Sequence, residues 1–546
     1  MQISDAVIDT LRANDIDTIF GIPGKQTLPL NESIGQRPDV RYVMARHETN
    51  VSHQAWGYAE TSGRMAATVV IPGPGDMNAM NGLKNALNDN TPLVHIAVET
   101  EPHVRGGDGI HETPPETYDT VVKENVLVES PQATIPALQR AITIARTPPK
   151  GPVRVGIPKN FVPMDVDIAD VPSPVEPKPV GPSADAIERA AAALDGADAP
   201  FVIAGGGVRS ADATDLLLAV AERIDAPVAT TYKGKATVPE DHRLFAGVIG
   251  GGTSTELRTA LEAADVVLAV GTDFDAVWTR EWSYDLPTEL IHVTLDPAHV
   301  GRGYDPSVGI VGDAGRTLRA LESAVGAAPE ASRTGADRAA TVREARRERL
   351  APLAAVETAP FTTVSALRTL RDALPRETVV AADAGGSRIW TQVAFPTYAA
   401  RAYVNPGSWA TMGVGLPAGI GATLANPDAP VAVFTGEGGL LMCLEELHTV
   451  AAEDLSITVF VFTNDDYAVI SEEAEREYAL GEGAYGWGNA PLDIVAIAEG
   501  MGLEAVRVET IADLDDVART VTDDVPRVVS IPTDPVEPQA GTYMTQ

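Results

Sequence analysis

The chain is expected to fold as an α/β protein of three domains, each a parallel sheet flanked by helices. Three observations lead there. At 546 residues it exceeds what one hydrophobic core usually organises. Short apolar runs alternate with helical patterns throughout, as parallel strands joined by crossover helices would. Two composition shifts divide the chain. From about Pro163 to Pro182 prolines recur without an apolar period, which reads as a linker; from about Ala328 to Pro360 the chain is rich in Ala, Arg and Glu, which reads as a solvated helix and connector. The units are then 1–165, 183–328 and 360–546.

Bulk properties narrow the function. No stretch approaches the roughly 20 apolar residues of a membrane span, and Met1-Gln2-Ile3-Ser4-Asp5 opens polar and acidic rather than as a signal. A soluble, cytoplasmic protein is expected, with no membrane partner. The net charge of −35 is spread along the chain, which argues against disorder and against nucleic acid. Lysine is scarce and none follows Lys235. Such self-repulsion is screened at molar salt, so the composition reads as that of a halophile. The single cysteine, Cys443, is expected to be core packing.

Taken in order, the first unit holds a strand at Val40–Met44, then Arg46-His47-Glu48 and a helix bearing Trp56, Gly57 and Tyr58. A glutamate at a helix start can merely favour the positive end of the dipole, or it can be functional. The middle unit holds Phe201–Ala204 running into Gly205-Gly206-Gly207; without G-x-G-x-x-G spacing, tight strand-to-helix packing explains this as well as a nucleotide site does. In the third unit, the strand Val379–Ala382 precedes Asp383-Ala384-Gly385-Gly386-Ser387, and a Gly-rich turn surrounds Met412. Strands Val431–Thr435 and Ile457–Phe462 are expected side by side, joined by a helix at about Met442–Glu453. That places Glu437 beside Asn464 at the carboxyl ends of the strands, where open parallel sheets bind ligands. Gly438 and Gly439 would let phosphate oxygens reach backbone amides, and a hard cation could bridge carboxylate, amide oxygen and phosphate. The alternative is a solvated acidic loop.

Gly436-Glu437-Gly438 and Asn464-Asp465 resemble the thiamine diphosphate (ThDP) binding motif. Phe20-Gly21-Ile22-Pro23-Gly24, Arg46-His47-Glu48, Pro72-Gly73-Pro74-Gly75 and Gly407 to Pro417 extend the likeness over nearly the whole chain. The chain is thereby similar to the acetolactate synthase-like group of ThDP enzymes, which includes pyruvate oxidase and benzoylformate decarboxylase. The resemblance implies an N-terminal pyrimidine-binding, a middle and a C-terminal diphosphate-binding domain. It implies ThDP and Mg²⁺ as cofactors. Glu48 would be catalytic, bonding N1′ of the aminopyrimidine so that its imino nitrogen takes the C2 proton. Met412 would hold the cofactor bent, with the Ala410 backbone at the pyrimidine edge. Ala384, Ser387, Gly438, Gly439 and Asn464 would contact the cofactor, and Glu437, Asn464 and the Asp466 carbonyl would hold the metal. Sites shared between subunits imply an obligate homodimer or homotetramer.

Departures from the family pattern matter too. Glu437 stands where relatives have Asp, and its carboxylate reaches about 1.5 Å farther; either the loop backs away or metal affinity falls. Asp465 replaces the second Asn. Gly271-Thr272-Asp273-Phe274-Asp275-Ala276-Val277 lacks both arginines of the matching family stretch, which argues against FAD. Glu473 and Val277 stand where anabolic acetolactate synthases carry a pocket tryptophan and arginine. Lys25 could bind a substrate carboxylate or point to solvent, and His111 could line the pocket or lie on the surface. The expected activity is decarboxylation of a small-molecule 2-oxo acid such as pyruvate, with transfer or release of the aldehyde unit. The alternatives are a non-ligating, benzoylformate decarboxylase-like enzyme, and a catalytically inactive ThDP-fold binding or regulatory subunit.

Overall fold

A computed structural model describes residues 1–167, 175, 177–329 and 333–545. It contains three six-stranded sheets in which every recorded strand pairing is parallel. From edge to edge the first sheet runs Arg41–Met44, Thr18–Gly21, Ala66–Val70, Leu93–Glu99, Val153–Pro158, Glu124–Leu127. The second runs Val308–Val311, Glu289–Thr294, Val266–Val270, Pro200–Ala204, Val228–Thr231, Phe245–Ile249. The third runs Tyr403–Val404, Val379–Ala382, Val431–Gly436, Ile457–Thr463, Arg527–Pro532, Glu504–Arg507. The central strands are buried along their length, as near-continuous Val/Ile/Ala runs covered on both faces must be.

The first and third units are packed through two helices. Gly415–Ala425 is apolar nearly all round and almost wholly buried. It lies against Glu48–Ser62 so closely that a Cβ at Gly57 would strike the Ala418 carbonyl, and one at Gly421 the Gln54 carbonyl. One apolar cluster runs through both units, joining Val51, Ala55 and Trp56 to Leu416, Ile420 and Val433.

Two local expectations need adjustment, and a third falls in part on residues that are not described. The helix expected at Met442–Glu453 is instead a single turn, Glu437–Leu440, a run of tight turns, and a helix only at Glu446–Ala452. The connector helix, Gly335–Ala354, is not fully solvated: it buries Ala339, Val342 and Leu350, and Arg343 donates to the Phe245 carbonyl of the second sheet. Most of the core of the proline-rich stretch, 168–174 and 176, lies outside the described residues.

Candidate active site

Four neighbouring strands of the third sheet end in the turns that carry the expected cofactor and metal residues. Glu437 is 2% exposed. Its Oε1 accepts the backbone N–H of Asn464 at 2.8 Å and of Asp465 at 2.6 Å, so one carboxylate bridges the ends of two adjacent strands. The longer glutamate side chain is therefore used to reach across to the neighbouring turn. Burial pushes its pKa up to about 7, against the pull of those N–H groups. Asp465 takes a left-handed φ of 56°, which aspartate tolerates, and its carbonyl accepts from Trp487 N–H. Asn464 Oδ1 accepts from Asp466 N–H at 3.2 Å, and the buried Asp466 carboxylate takes the Ser471 hydroxyl at 2.6 Å.

This donor set suits a hard cation. Glu437 Oε2 has no hydrogen bond among the described residues and is available; the Asp466 carbonyl is too, and the Asn464 amide oxygen, which accepts Asp466 N–H, keeps a second lone pair. No group of three or more His, Cys, Asp or Glu is poised to hold a metal among the described residues. A cation here would need phosphate oxygens and water to complete its shell, the usual situation of protein-bound Mg²⁺. Gly438 lies under the Tyr467 ring, and a Cβ at Gly439 would stand 2.6 Å from Asp383 Oδ2, so the turn has no room for side chains there.

Asp383 organises the rest. Fully buried, its Oδ1 accepts the N–H groups of Ala384, Gly413 and Val414, while Oδ2 takes the Thr435 hydroxyl at 2.9 Å. Burial raises its pKa, opposed by these donors. One carboxylate thus pins the Ala384–Ser387 turn, the Met412 turn and the strand leading to Glu437. Ala410 takes φ 49°, and Met412 is partly exposed between it and Gly413, whose φ is 77°. Asn81 of the helix Pro74–Asn88 holds this turn from the first unit, accepting from Trp409 Nε1 at 2.7 Å and donating to Thr411 Oγ1 at 3.1 Å.

The second group of expected residues gathers at the carboxyl edge of the first sheet. Glu48 is the first residue of its helix, after His47, whose Nδ1 accepts Thr49 N–H at 3.2 Å. The Glu48 carboxylate is half-buried, accepts from Asn78 Nδ2 at 3.0 Å, and lies over Gly75, where a Cβ would be 3.1 Å from Oε1. The His111 carbonyl presses on Gly73, and its Nδ1 is 3.4 Å from Gln26 Nε2, which brings the His111 loop and the Lys25 turn together beside Glu48. Lys25 is exposed. Glu473 is exposed on the helix Ala468–Tyr478 of the third unit. Among the described residues, no hydrogen bond or ion pair joins Glu48 to Glu437, Asn464 or Asp466.

Sequence reasoning gave Asn78, Asn81 and Glu446 no part, and quoted Asp383 only as the start of a small-residue turn. An Asp directly after an apolar strand and before glycines was the available signal for Asp383; the asparagines carry none, because their partners lie 30 residues away for Asn78 and 328 and 330 residues away for Asn81. In the middle unit, Cβ atoms at Gly205 and Gly207 would strike Gly271. Close packing accounts for those glycines without a nucleotide. Nearby, Glu60 pairs with Arg209 at 2.6 Å and with Lys233 at 3.1 Å. Cys443 is buried core.

Three parallel sheets, with a carboxylate and an amide bridging strand ends on one and a glutamate at a helix start on another, define a cofactor-dependent enzyme class. Family models agree with that class. Residues 1–120 match the N-terminal TPP binding domain of thiamine pyrophosphate enzymes, 187–321 the central domain and 383–531 the C-terminal TPP binding domain. The chain belongs to the thiamine pyrophosphate enzyme family. It is similar to the acetolactate synthase large subunit of Corynebacterium glutamicum, with 30% identity over 93% of this chain and 82% of the other. It is also similar to the acetolactate synthase isozyme 1 large subunit of Escherichia coli, with 28% identity over 93% of this chain and 90% of the other. A crystal structure assigned as a thiamin diphosphate-dependent enzyme, from Mycobacterium smegmatis, shares the fold with a TM-score of 0.82 at 24% identity, covering 98% of this chain and 99% of the other.

Proposed function

We propose that the chain is a ThDP- and Mg²⁺-dependent enzyme that decarboxylates a 2-oxo acid such as pyruvate and transfers or releases the aldehyde unit. The observation that carries this is the Glu437 bridge, with a free carboxylate oxygen beside Asn464 and the side-chain-free Gly438-Gly439 turn. Glu437, Asn464 and the Asp466 carbonyl hold the metal; Gly438, Gly439, Ala384 and Ser387 receive the diphosphate. Met412 and the Ala410 backbone support the rings, fixed from beneath by Asp383. ThDP, when bound, supplies the electron sink for loss of CO₂. The Glu48 carboxylate, which Asn78 orients, would hold and move a proton at N1′ of the aminopyrimidine, a task usually worth about 10² to 10⁴ in rate. His111 and Lys25 line the entrance on the Glu48 side, where a cation can meet a substrate carboxylate.

No hydrogen bond joins Glu48 directly to Glu437, Asn464 or Asp466 among the described residues, and in this reading a second copy completes the site. In support, Met44 and Met77, in the segments that carry Glu48 and its partner Asn78, are 40% and 49% exposed, Trp409 of the Met412 turn is 43% exposed, and Met442 and Ile470, which follow Glu437 and Asp466 in the chain, are 52% and 50% exposed. Apolar side chains in such numbers around one site mark a surface that is covered. A homodimer, or a pair of them, follows.

A second reading, decarboxylation without ligation, is favoured by the exposed Glu473 and Val277 at positions where ligating relatives place bulk and positive charge. NMR of the protein in high salt with ThDP, Mg²⁺ and labelled pyruvate, then with aromatic and branched 2-oxo acids, separates the two. Acetolactate supports ligation and free aldehyde supports simple decarboxylation. No turnover of any acid despite bound cofactor would overturn the enzymatic reading in favour of an inactive binding subunit.

A further inference from the structure

Glu446 is 0% exposed and belongs to the third unit, yet most of its bonds are to the first. Oε1 accepts the backbone N–H of Arg46 at 2.8 Å and of His47 at 3.2 Å, and Asn50 Nδ2 at 3.1 Å. Oε2 accepts Gln54 Nε2 at 2.9 Å and the Thr449 hydroxyl at 2.6 Å. Glu445 takes Asn50 as well, at 2.9 Å, and Arg46 Nε lies 2.9 Å from His448 Nδ1. N–H groups at a helix start have no partner in their own helix, and an anion is favoured there. For the helix that begins at Glu48, a carboxylate from another sheet fills that role. Burial pushes the Glu446 pKa up, while Thr449, Arg46 N–H and Asn50 pull it down.

The other end of the connection is the metal turn. From Glu437 to Glu446 the backbone is an unbroken run of tight turns: Leu441 N–H to Glu437 O at 2.9 Å, Met442 to Gly439 at 3.1 Å, Cys443 to Leu440 at 3.0 Å, Glu446 to Cys443 at 3.0 Å. Cys443 is fully buried and Met442 packs on Gly413, so this run is packed against the cofactor turn. We infer that Glu446 is a positioning residue that makes the order of the Arg46–Glu48 turn depend on loading of the diphosphate turn of the same chain. In the two-copy site proposed above, on which this inference rests, loading one site then sets Glu48 for the other. Glu446→Gln keeps one oxygen for the Arg46 and His47 N–H groups but loses the charge and sets an N–H₂ against the Gln54 amide that Oε2 accepts, so the hold on the turn weakens whether or not the diphosphate turn is filled.

The test is amide hydrogen exchange of residues 46–54 in the full protein and in Glu446→Gln, with and without ThDP and Mg²⁺. A second loading uses inorganic pyrophosphate and Mg²⁺, which fill the diphosphate turn and have no ring to touch Glu48. Calorimetry reports binding in parallel. In the wild type both loadings should slow exchange at 46–54 at least threefold; in Glu446→Gln both should bind within about threefold of wild-type affinity and leave exchange there fast. A purely structural role would raise exchange in the variant and keep the same slowing on loading, and that result overturns the inference. The wild-type arm needs no variant to fold: bound pyrophosphate or ThDP without slowing at 46–54 also overturns it. Failure of both probes to bind the wild type overturns the cofactor reading itself, and this inference with it.

Discussion

Two glutamates at the carboxyl edges of two parallel sheets are treated in opposite ways. Glu437 is sealed, with one oxygen accepting two backbone N–H groups and its pKa pushed up to about 7 by burial. Glu48 is half-open and accepts one side-chain amide, from Asn78. A carboxylate fastened to backbone is a fixed ligand, because moving it would strand two N–H groups at a cost of about 1–3 kcal/mol each. A carboxylate held by one amide can give and take a proton at a visiting atom. Under the function proposed above, the environment of each residue, more than its type, separates scaffold from acid-base group.

The largest effect expected from breaking this contrast is at Glu48. Glu48→Gln should cut turnover at least 100-fold while ThDP affinity, measured by calorimetry, stays within a few-fold. At Glu437 the pattern should reverse. Glu437→Gln keeps an oxygen for the two N–H groups and loses the charge, so Mg²⁺-dependent cofactor affinity should fall about tenfold or more, with turnover at saturation less affected. Equal loss of both quantities in the two variants would erase the distinction. Asn78→Ala should lower turnover several-fold without changing cofactor affinity, because it frees the Glu48 carboxylate and touches nothing at the metal turn.

Glu537 sharpens the contrast by showing burial alone. It is 9% exposed, bonds the Thr363 N–H at 2.7 Å and the Thr363 hydroxyl, and burial pushes its pKa up to about 7, beyond the pull of both bonds. The folded chain then keeps a proton that the unfolded chain releases above its ordinary pKa, so this group lowers stability as pH rises from about 4.5 to 7. Thermal unfolding across that window should show a shallower fall for Glu537→Gln, by a few degrees at most. An unchanged slope would mean that Glu537 ionises normally.

The sequence made one half of this picture readable. Apolar runs ending in Gly436-Glu437-Gly438 and in Asn464 marked adjacent strands, and the pairing of Val431–Gly436 with Ile457–Thr463 bears that out. Strand cores such as Val379–Ala382 were legible because they are buried on both faces. The tight turns from Leu441 to Glu445 were not, since their apolar spacing mimics a helix while tertiary contacts at Gly413 and Asn50 set the backbone. The supports of the site were legible only in part: Asp383 carried the signal of an Asp between a strand and glycines, while Asn81 and Glu446 bond to segments hundreds of residues away, and no local pattern records such a partner.

The central claim is that this chain activates ThDP through Glu48. The measurement that addresses it most directly is the rate at which the C2 proton of added ThDP exchanges for deuterium, followed by NMR with protein and Mg²⁺ in high salt. The wild type should accelerate exchange far above free cofactor, and Glu48→Gln should lose at least 100-fold of that acceleration while still binding. Bound ThDP whose exchange is no faster than in free solution, or is equally fast in Glu48→Gln, would contradict the account.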